Sequence, residues 1–376
     1  MRRSCATPTR AHFEAAYDIV GRLLVGASLL LSAPAKVFAH VETAPVANPW
    51  AAWQFTPDIV LGTLLVGVLY TLGIRARRTR QSAMPWWRHL SFFGGLLLVF
   101  IALQSPVDVL AEHLFAIHQI QHLLLHTAGP MFLMLAAPQI LLTAGTPELL
   151  RRRLLAPIME SRIIRVFFRF LSHPVVATVI FVGSLYFWQI PHYHDLAVLN
   201  DGVHYFMHVT MLVAGLVFFW RVFDPRPAPL GASYGVRLAM LWITVVGNIL
   251  IGSVLALKNS VLYPAYDELG RWFGFGALPD EQVGGIILWI PGSMMCLLAI
   301  LVVIAQWGLH DTRADERRQR GIGSLESRSR DPVTDVAAAA TLHASRNKAL
   351  ALRLGMIALA VFAALIGLVM LSRLWR

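Results

Sequence analysis

Four histidines, His113, His118, His122 and His126, stand where a strongly apolar stretch begins, and the last three recur every four residues. A helix advances about 100° per residue, so each step of four turns only about 40° around the axis and stacks three imidazoles on one face. That is a chelating pattern. Two further groups follow: His192 and His194 end one apolar stretch, and His204 and His208, again four apart, open the next. Neutral imidazole is a good ligand for copper, zinc or haem iron, and thioethers bias a mixed site toward Cu(I). Met207 and Met211 neighbour His208, and Met131 and Met134 lie deeper on the helix of His126. Methionine in an apolar helix is more often filler. A lone histidine in such a segment is ordinarily a packing residue bonded to the next helix, whereas clustered ionisable groups inside a membrane mark function.

The elements that must position these groups follow from composition. The chain has 376 residues, is 57% hydrophobic and only 14% charged, and has a mean hydropathy of +0.61. A soluble domain is about a quarter charged, so this is an all-α polytopic membrane protein. Apolar runs long enough to cross, about 20 residues each, are expected at 57–74, 90–107, 115–142, 174–191, 205–222, 236–256, 283–305 and 349–371. The first seven form a core over 53–308, and the eighth is an additional C-terminal transmembrane helix within 349–376. Residues 1–39 resemble a signal peptide or signal anchor, with Arg2, Arg3 and Arg10, an apolar run and Val37-Phe38-Ala39 as a cleavage site. Cleavage there would make His40 the mature N-terminus, offering amine and imidazole together to Cu(II).

Charge fixes the direction of threading. Most of the 32 lysines and arginines fall in 1–18, 75–89, 143–173, 221–237 and 306–348, whereas 40–56, 105–114 and 192–204 contain none and 257–282 holds only Lys258 and Arg271. The positive-inside rule then puts the N-terminus in the cytoplasm. Counting through the spans puts His40, His113, His118, His122, His126, His192, His194, His204 and His208 at the outer face, and leaves His12, His89, His173, His310 and His343 inside. Asp108, Glu112, Asp195 and Asp201 lie among the outer group as ligands or as partners that set imidazole tautomers.

Other features are architectural. Gly129-Pro130 should kink its helix, with the freed carbonyl satisfied inside the bundle. Residues 147–171 resemble a basic amphipathic helix on the inner leaflet, so the net charge of +11 is expected to meet membrane lipid and no nucleic acid. Asp224-Pro225-Arg226-Pro227 is a tight turn, and 309–348 reads as a charged cytoplasmic linker. Cys5 and Cys296 form no paired motif. No nucleophile elbow, P-loop or dinucleotide fingerprint is present, and Gln119 stands where the glutamate of a zinc-protease H-E-x-x-H would be. The chain is therefore expected to be no enzyme.

Several blocks carry a resemblance. His118-Gln119-Ile120-Gln121-His122, Gly129-Pro130, Ala137-Pro138, the stretch Trp188 to Asp195, His204 with His208, Phe219-Trp220, the group Leu262, Tyr263, Pro264 and Tyr266, and the run Asp280 to Gly292 occur in one order. Together they resemble the seven-helix family of cytochrome c oxidase assembly factors first associated with caa3-type oxidases. Asp280 matches its acidic position before the last core helix, while Glu281 stands where glutamine is expected. The resemblance implies a bacterial inner-membrane protein that binds copper at the outer face and delivers it to a cytochrome c oxidase subunit, or takes it from a copper donor protein. His118, His122, His204 and His208 match the family's paired histidines and are the expected metal ligands, with His126, His194 and Asp195 as lesser candidates. Two rivals use the same residues: a haem-binding electron carrier ligated by His122 and His208, and a copper transport or resistance protein, which would want ligands continuing through the bilayer.

Overall fold

The computed structural model describes residues 49–77, 84–226 and 231–326. Among them the regular structure is helical: α1 (Pro57–Arg77), α2 (Trp86–Gln104), α3 (Pro106–His113), α4 (Phe115–Leu135), α5 (Gln139–Gly145), α6 (Arg162–Leu171), α7 (Pro174–Trp188), α8 (Pro191–Val198), α9 (Asp201–Val222), α10 (Tyr234–Leu257), α11 (Ala265–Leu269) and α12 (Ala277–Glu326). Five of these, α1, α2, α9, α10 and α12, are long and apolar enough to cross a membrane. Two bent pairs, α4 with α5 at 75° and α6 with α7 at 69°, bring the number to seven when each is counted as one span. The polytopic helix bundle expected from composition is the observed fold. Short α3, α8 and α11 gather at one end with the histidines, and the arginine-rich helical stretch 148–160 follows α5.

Local chemistry explains the helix starts. Ser105 Oγ accepts from Val107 N at 3.2 Å where Pro106 opens α3, and Asn200 Oδ1 accepts from Val203 N at 3.1 Å at the head of α9. That cap starts α9 at Asp201, four residues earlier than hydropathy alone places it. The leucines Leu61, Leu64 and Leu65 of α1 are exposed, as a lipid-facing surface should be.

The expected kink takes a particular form. Residues Leu123–Ala128 of α4 wind as a π-helix, with Gly129 N–H bonding back to the Leu124 carbonyl. Pro130 has no N–H to offer the His126 carbonyl one turn earlier, and a wider turn is the usual accommodation. That carbonyl instead meets α9 at Gly215, where a Cβ would lie 2.2 Å from it. The sharper bend follows at Ala137, held at φ 49° before Pro138.

Three spans or segments depart from the sequence expectation. Residues 147–171 do not form one amphipathic helix: a helical stretch over 148–160, π-wound at Arg151–Leu155, breaks at Ser161 before α6. The helix expected over 283–305 runs from Ala277 to Glu326, so the first part of the 309–348 segment is helical. Its mixed Asp, Glu and Arg content suits an exposed helix. The chain divides after Trp307, and 308–326 is the described part of the second unit. The signal or anchor over 1–39, His40 and the helix expected in 349–376 lie outside the described residues.

Packing at the end opposite the histidines depends on two glycines. A Cβ on Gly73 of α1 would lie 1.9 Å from the Leu141 carbonyl oxygen, and one on Gly145 of α5 would lie 1.8 Å from the Leu69 carbonyl oxygen. Both obstacles are backbone, which cannot swing aside. Gly145→Ala is expected to destabilise the bundle by about 1–3 kcal/mol, seen as a lowered melting temperature in detergent; an unchanged melting temperature would refute this packing.

At the histidine end, Gln121 Nε2 donates to the Ala102 carbonyl at 2.9 Å and to Asp108 Oδ1 at 2.5 Å, tying α2, α3 and α4 together. Burial first, and then Glu112 one turn on, push the Asp108 carboxyl from its ordinary 3.8 up to about 7. The folded state therefore holds this proton more tightly than the unfolded chain. Stability is gained below about pH 4 and lost as pH rises toward 7. Asp108→Asn keeps an acceptor for Gln121 and should flatten that part of the melting-temperature profile between pH 5 and 8; a profile as steep as the wild type's would exclude Asp108 as its source.

Candidate metal centre

Two helices bring the paired histidines together. His118 and His122 lie on α4, and His204 and His208 lie on α9, so each pair shares a face one turn apart. The faces meet. The His118 ring centroid lies 4.4 Å from His122, 5.1 Å from His204 and 6.1 Å from His208. His204 and His208 are 4.4 Å apart and His122 and His208 6.1 Å apart. His118, His122 and His208 are buried, and His204 is partly exposed. His118, His204 and His208 each place one ring nitrogen so that all lie within 4.8 Å of one another. That separation is a little over twice a metal–imidazole bond of about 2.0–2.1 Å.

The donor set fits a metal by a second criterion. His118 Nε2, both ring nitrogens of His122 and His208 Nε2 are buried and make no hydrogen bond to the protein. A buried polar atom without a partner costs about 1–3 kcal/mol, and several in one pocket are the mark of a group that completes them. The three-ligand group holds no carboxylate and no thiol.

A chain of hydrogen bonds leads into the pocket from its rim. His194 of α8 is held 5.0 Å from His118 by centroid, yet its ring nitrogens are both engaged: Nδ1 with the Trp188 carbonyl at 2.9 Å and Nε2 with the Tyr266 hydroxyl at 2.8 Å. Burial pushes the His194 imidazole down to about 4, so it is neutral. A carbonyl only accepts, so Nδ1 carries the His194 proton and Nε2 accepts from Tyr266. Tyr266 O then accepts from His118 Nδ1 at 2.6 Å.

The rim is fastened by charge. Asp280, at the start of α12, accepts from Phe115 N at 2.9 Å and Ala116 N at 3.0 Å, capping α4 from outside. Glu281 accepts from Leu262 N at 2.9 Å and Tyr263 N at 3.1 Å and pairs with Lys258. Arg271 pairs with Asp280 and, at 2.7 Å, with Asp267. These contacts hold the 258–276 loop, which carries Tyr266, over the histidines.

Not every expected ligand joins the cluster. His126 stacks on Phe181 of α7 at 3.9 Å and its Nε2 meets Ser184 Oγ at 3.2 Å, because the π-turn changes the angular step from His122. His194 is a hydrogen-bonded neighbour with no lone pair to spare. Asp195 turns to the loop: burial pushes its carboxyl up to about 6, and its neighbours are Ala265, Glu268, Arg271 and His192. His113 stacks on Trp272 at 4.0 Å and bonds the Gly270 carbonyl at 2.9 Å. Met207 and Met211 pack in the apolar core with Phe115 and Trp188, as filler. Tyr266 and Arg271 escaped the residue-by-residue reading, since neither belongs to a ligand pattern; two tyrosines three apart in a polar loop were the available signal.

Comparison with known proteins places this geometry. Uncharacterized proteins of Mycobacterium bovis and Mycobacterium tuberculosis are each 24% identical over 282 residues, covering 73% of this chain and 42% of theirs. One from Mycobacterium leprae is 24% identical over 278 residues, covering 72% and 42%. The chain thus spans less than half the length of the curated relatives it matches. No solved structure matches it. The family model described as cytochrome c oxidase caa3 assembly factor covers residues 68–308, a stretch that contains the whole histidine cluster and its clasp, and the chain belongs to that family.

Proposed function

We propose that this protein is a non-enzymatic copper carrier for oxidase assembly: it binds copper between α4 and α9 and passes it to a cytochrome c oxidase subunit. The observation that carries the reading is the convergence of His118, His204 and His208, with ring nitrogens within 4.8 Å of one another, in a pocket where His118, His122 and His208 have nitrogens bonded to nothing else in the protein. His122 is the candidate fourth ligand. The arginine bias of the opposite end supports placing the site at the outer face of a bacterial plasma membrane, where an oxidase's exposed copper centre would be loaded.

The haem reading meets an obstacle. A haem between His122 and His208 needs open space around the line joining them, and the His118 ring is within 4.4 Å of one and 6.1 Å of the other. A permease would continue its ligands across the bilayer; below the cluster His126 is already engaged with Phe181 and Ser184.

Detergent-purified wild type is expected to retain about one copper per chain, and His118→Ala with His208→Ala to retain none, by elemental analysis. His126→Ala should keep the wild-type stoichiometry, because its ring is turned to α7. Copper unchanged in the double variant sinks this site, and a Soret band lost in that variant would make this a haem protein.

In cells lacking the protein, the oxidase is expected to assemble with depleted copper. Wild type should restore it and the His118→Ala, His208→Ala variant should not, read as copper per oxidase. Full restoration by the variant would remove the delivery role.

A further inference from the structure

We infer that Tyr266 is a positioning residue for the metal centre: through the chain Trp188 carbonyl, His194, Tyr266, His118 it fixes the proton of His118 on Nδ1 and so keeps Nε2 as a ligand lone pair. The inference rests on the copper reading of the same pocket and goes beyond it by naming what makes His118 competent. The geometry leaves one consistent assignment. The Trp188 carbonyl accepts only, so His194 donates from Nδ1 at 2.9 Å. His194 Nε2 must then accept, and the one donor it meets is the Tyr266 hydroxyl at 2.8 Å. With its O–H donated to His194, the Tyr266 oxygen accepts from His118 Nδ1 at 2.6 Å. Neutral His118 has one N–H, so the lone pair stands on Nε2, the atom that is buried without a partner.

Every member of the chain is fully or nearly fully buried: His118, His194 and Tyr266 are at 0% exposure and Trp188 at 4%. Water therefore does not scramble the assignment. The direction originates in a backbone carbonyl, which cannot change its role, and it reaches the metal pocket through a side chain that belongs to a loop. Metal-bound histidines are commonly oriented in this way by a partner on the second ring nitrogen. Here that partner arrives on the 258–276 loop, whose position depends on Arg271 and its pairing with Asp280 and Asp267. The site's ligand strength is thus tied to the docking of one loop.

The test titrates the full-length, detergent-purified protein with Cu(II) against a competing chelator and counts coupled imidazole nitrogens by pulsed EPR. Tyr266→Phe leaves His118 free to carry its proton on Nε2, and is expected to raise the copper Kd about 10–100-fold and to remove one coupled imidazole. Tyr263→Phe serves as the loop control, since its hydroxyl donates to the Gln189 carbonyl at 2.8 Å and not to a histidine; it should match the wild type in both readouts. Unchanged affinity and nitrogen count in Tyr266→Phe overturn the inference, as does equal damage in Tyr263→Phe, which would trace the effect to loop packing. A wild type that takes up no copper overturns the copper reading and this inference with it.

Discussion

One carboxylate sets the frame of the histidine end. Helix α4 begins after Leu114, a residue whose side chain cannot cap, so its first amides have no partner within the helix. Asp280 of α12 supplies both oxygens to Phe115 N and Ala116 N, an anion at the positive end of a helix dipole. His118 is the next ligand-bearing turn of that helix, so its position relative to α12 is fixed by this contact. A carboxylate at 1% exposure needs a countercharge, and Arg271 provides it from the loop. The ion pair that satisfies Asp280 therefore also seats Tyr266 above His118.

The cluster obeys a second constraint. Buried polar atoms in a bundle that faces lipid have no solvent to fall back on, and the helix end nearest the pocket is accordingly furnished with partners: Gln189 Nε2 donates to Gln119 Oε1 at 2.5 Å, and Tyr263 donates to the Gln189 carbonyl at 2.8 Å. Against that background four imidazole nitrogens of His118, His122 and His208 lie buried in one cluster without a partner. The π-turn that follows them belongs to the same design, because it frees the His126 carbonyl toward Gly215 and directs the His126 ring to α7. The change of helical register thus separates His126 from the candidate cluster.

These residues also show what sequence could and could not reveal. Apolar length gave the spans, and the spacing of four in His118/His122 and His204/His208 gave the faces, because both signals are local and depend only on helix geometry. Spacing extended to His126 failed because it assumes an unbroken α-helix, and Pro130 four residues on had already altered the turn. His194 and Asp195 carry ligand-type side chains, but what they face is decided by tertiary contacts: Tyr266, 72 residues on, takes the free ring nitrogen of His194, and Asp195 lies among Ala265, Glu268 and Arg271. Helix α12 runs past the apolar limit at 305 because charged residues end a membrane segment without ending a helix.

A candidate pocket built of imidazoles alone has a thermodynamic consequence on the proposed carrier reading. Copper held by histidines alone keeps its full positive charge in a buried site, and a buried charge without a countercharge is costly. Two carboxylates of the histidine end are already committed, Asp280 to Arg271 and the α4 amides, Asp108 to Gln121. An acceptor that offers thiolate or carboxylate ligands neutralises that charge, so transfer from the cluster to such a site runs downhill. His204 is the partly exposed member of the three-nitrogen group. On the proposed copper reading, the absence of anionic ligands from that group suits release and not storage.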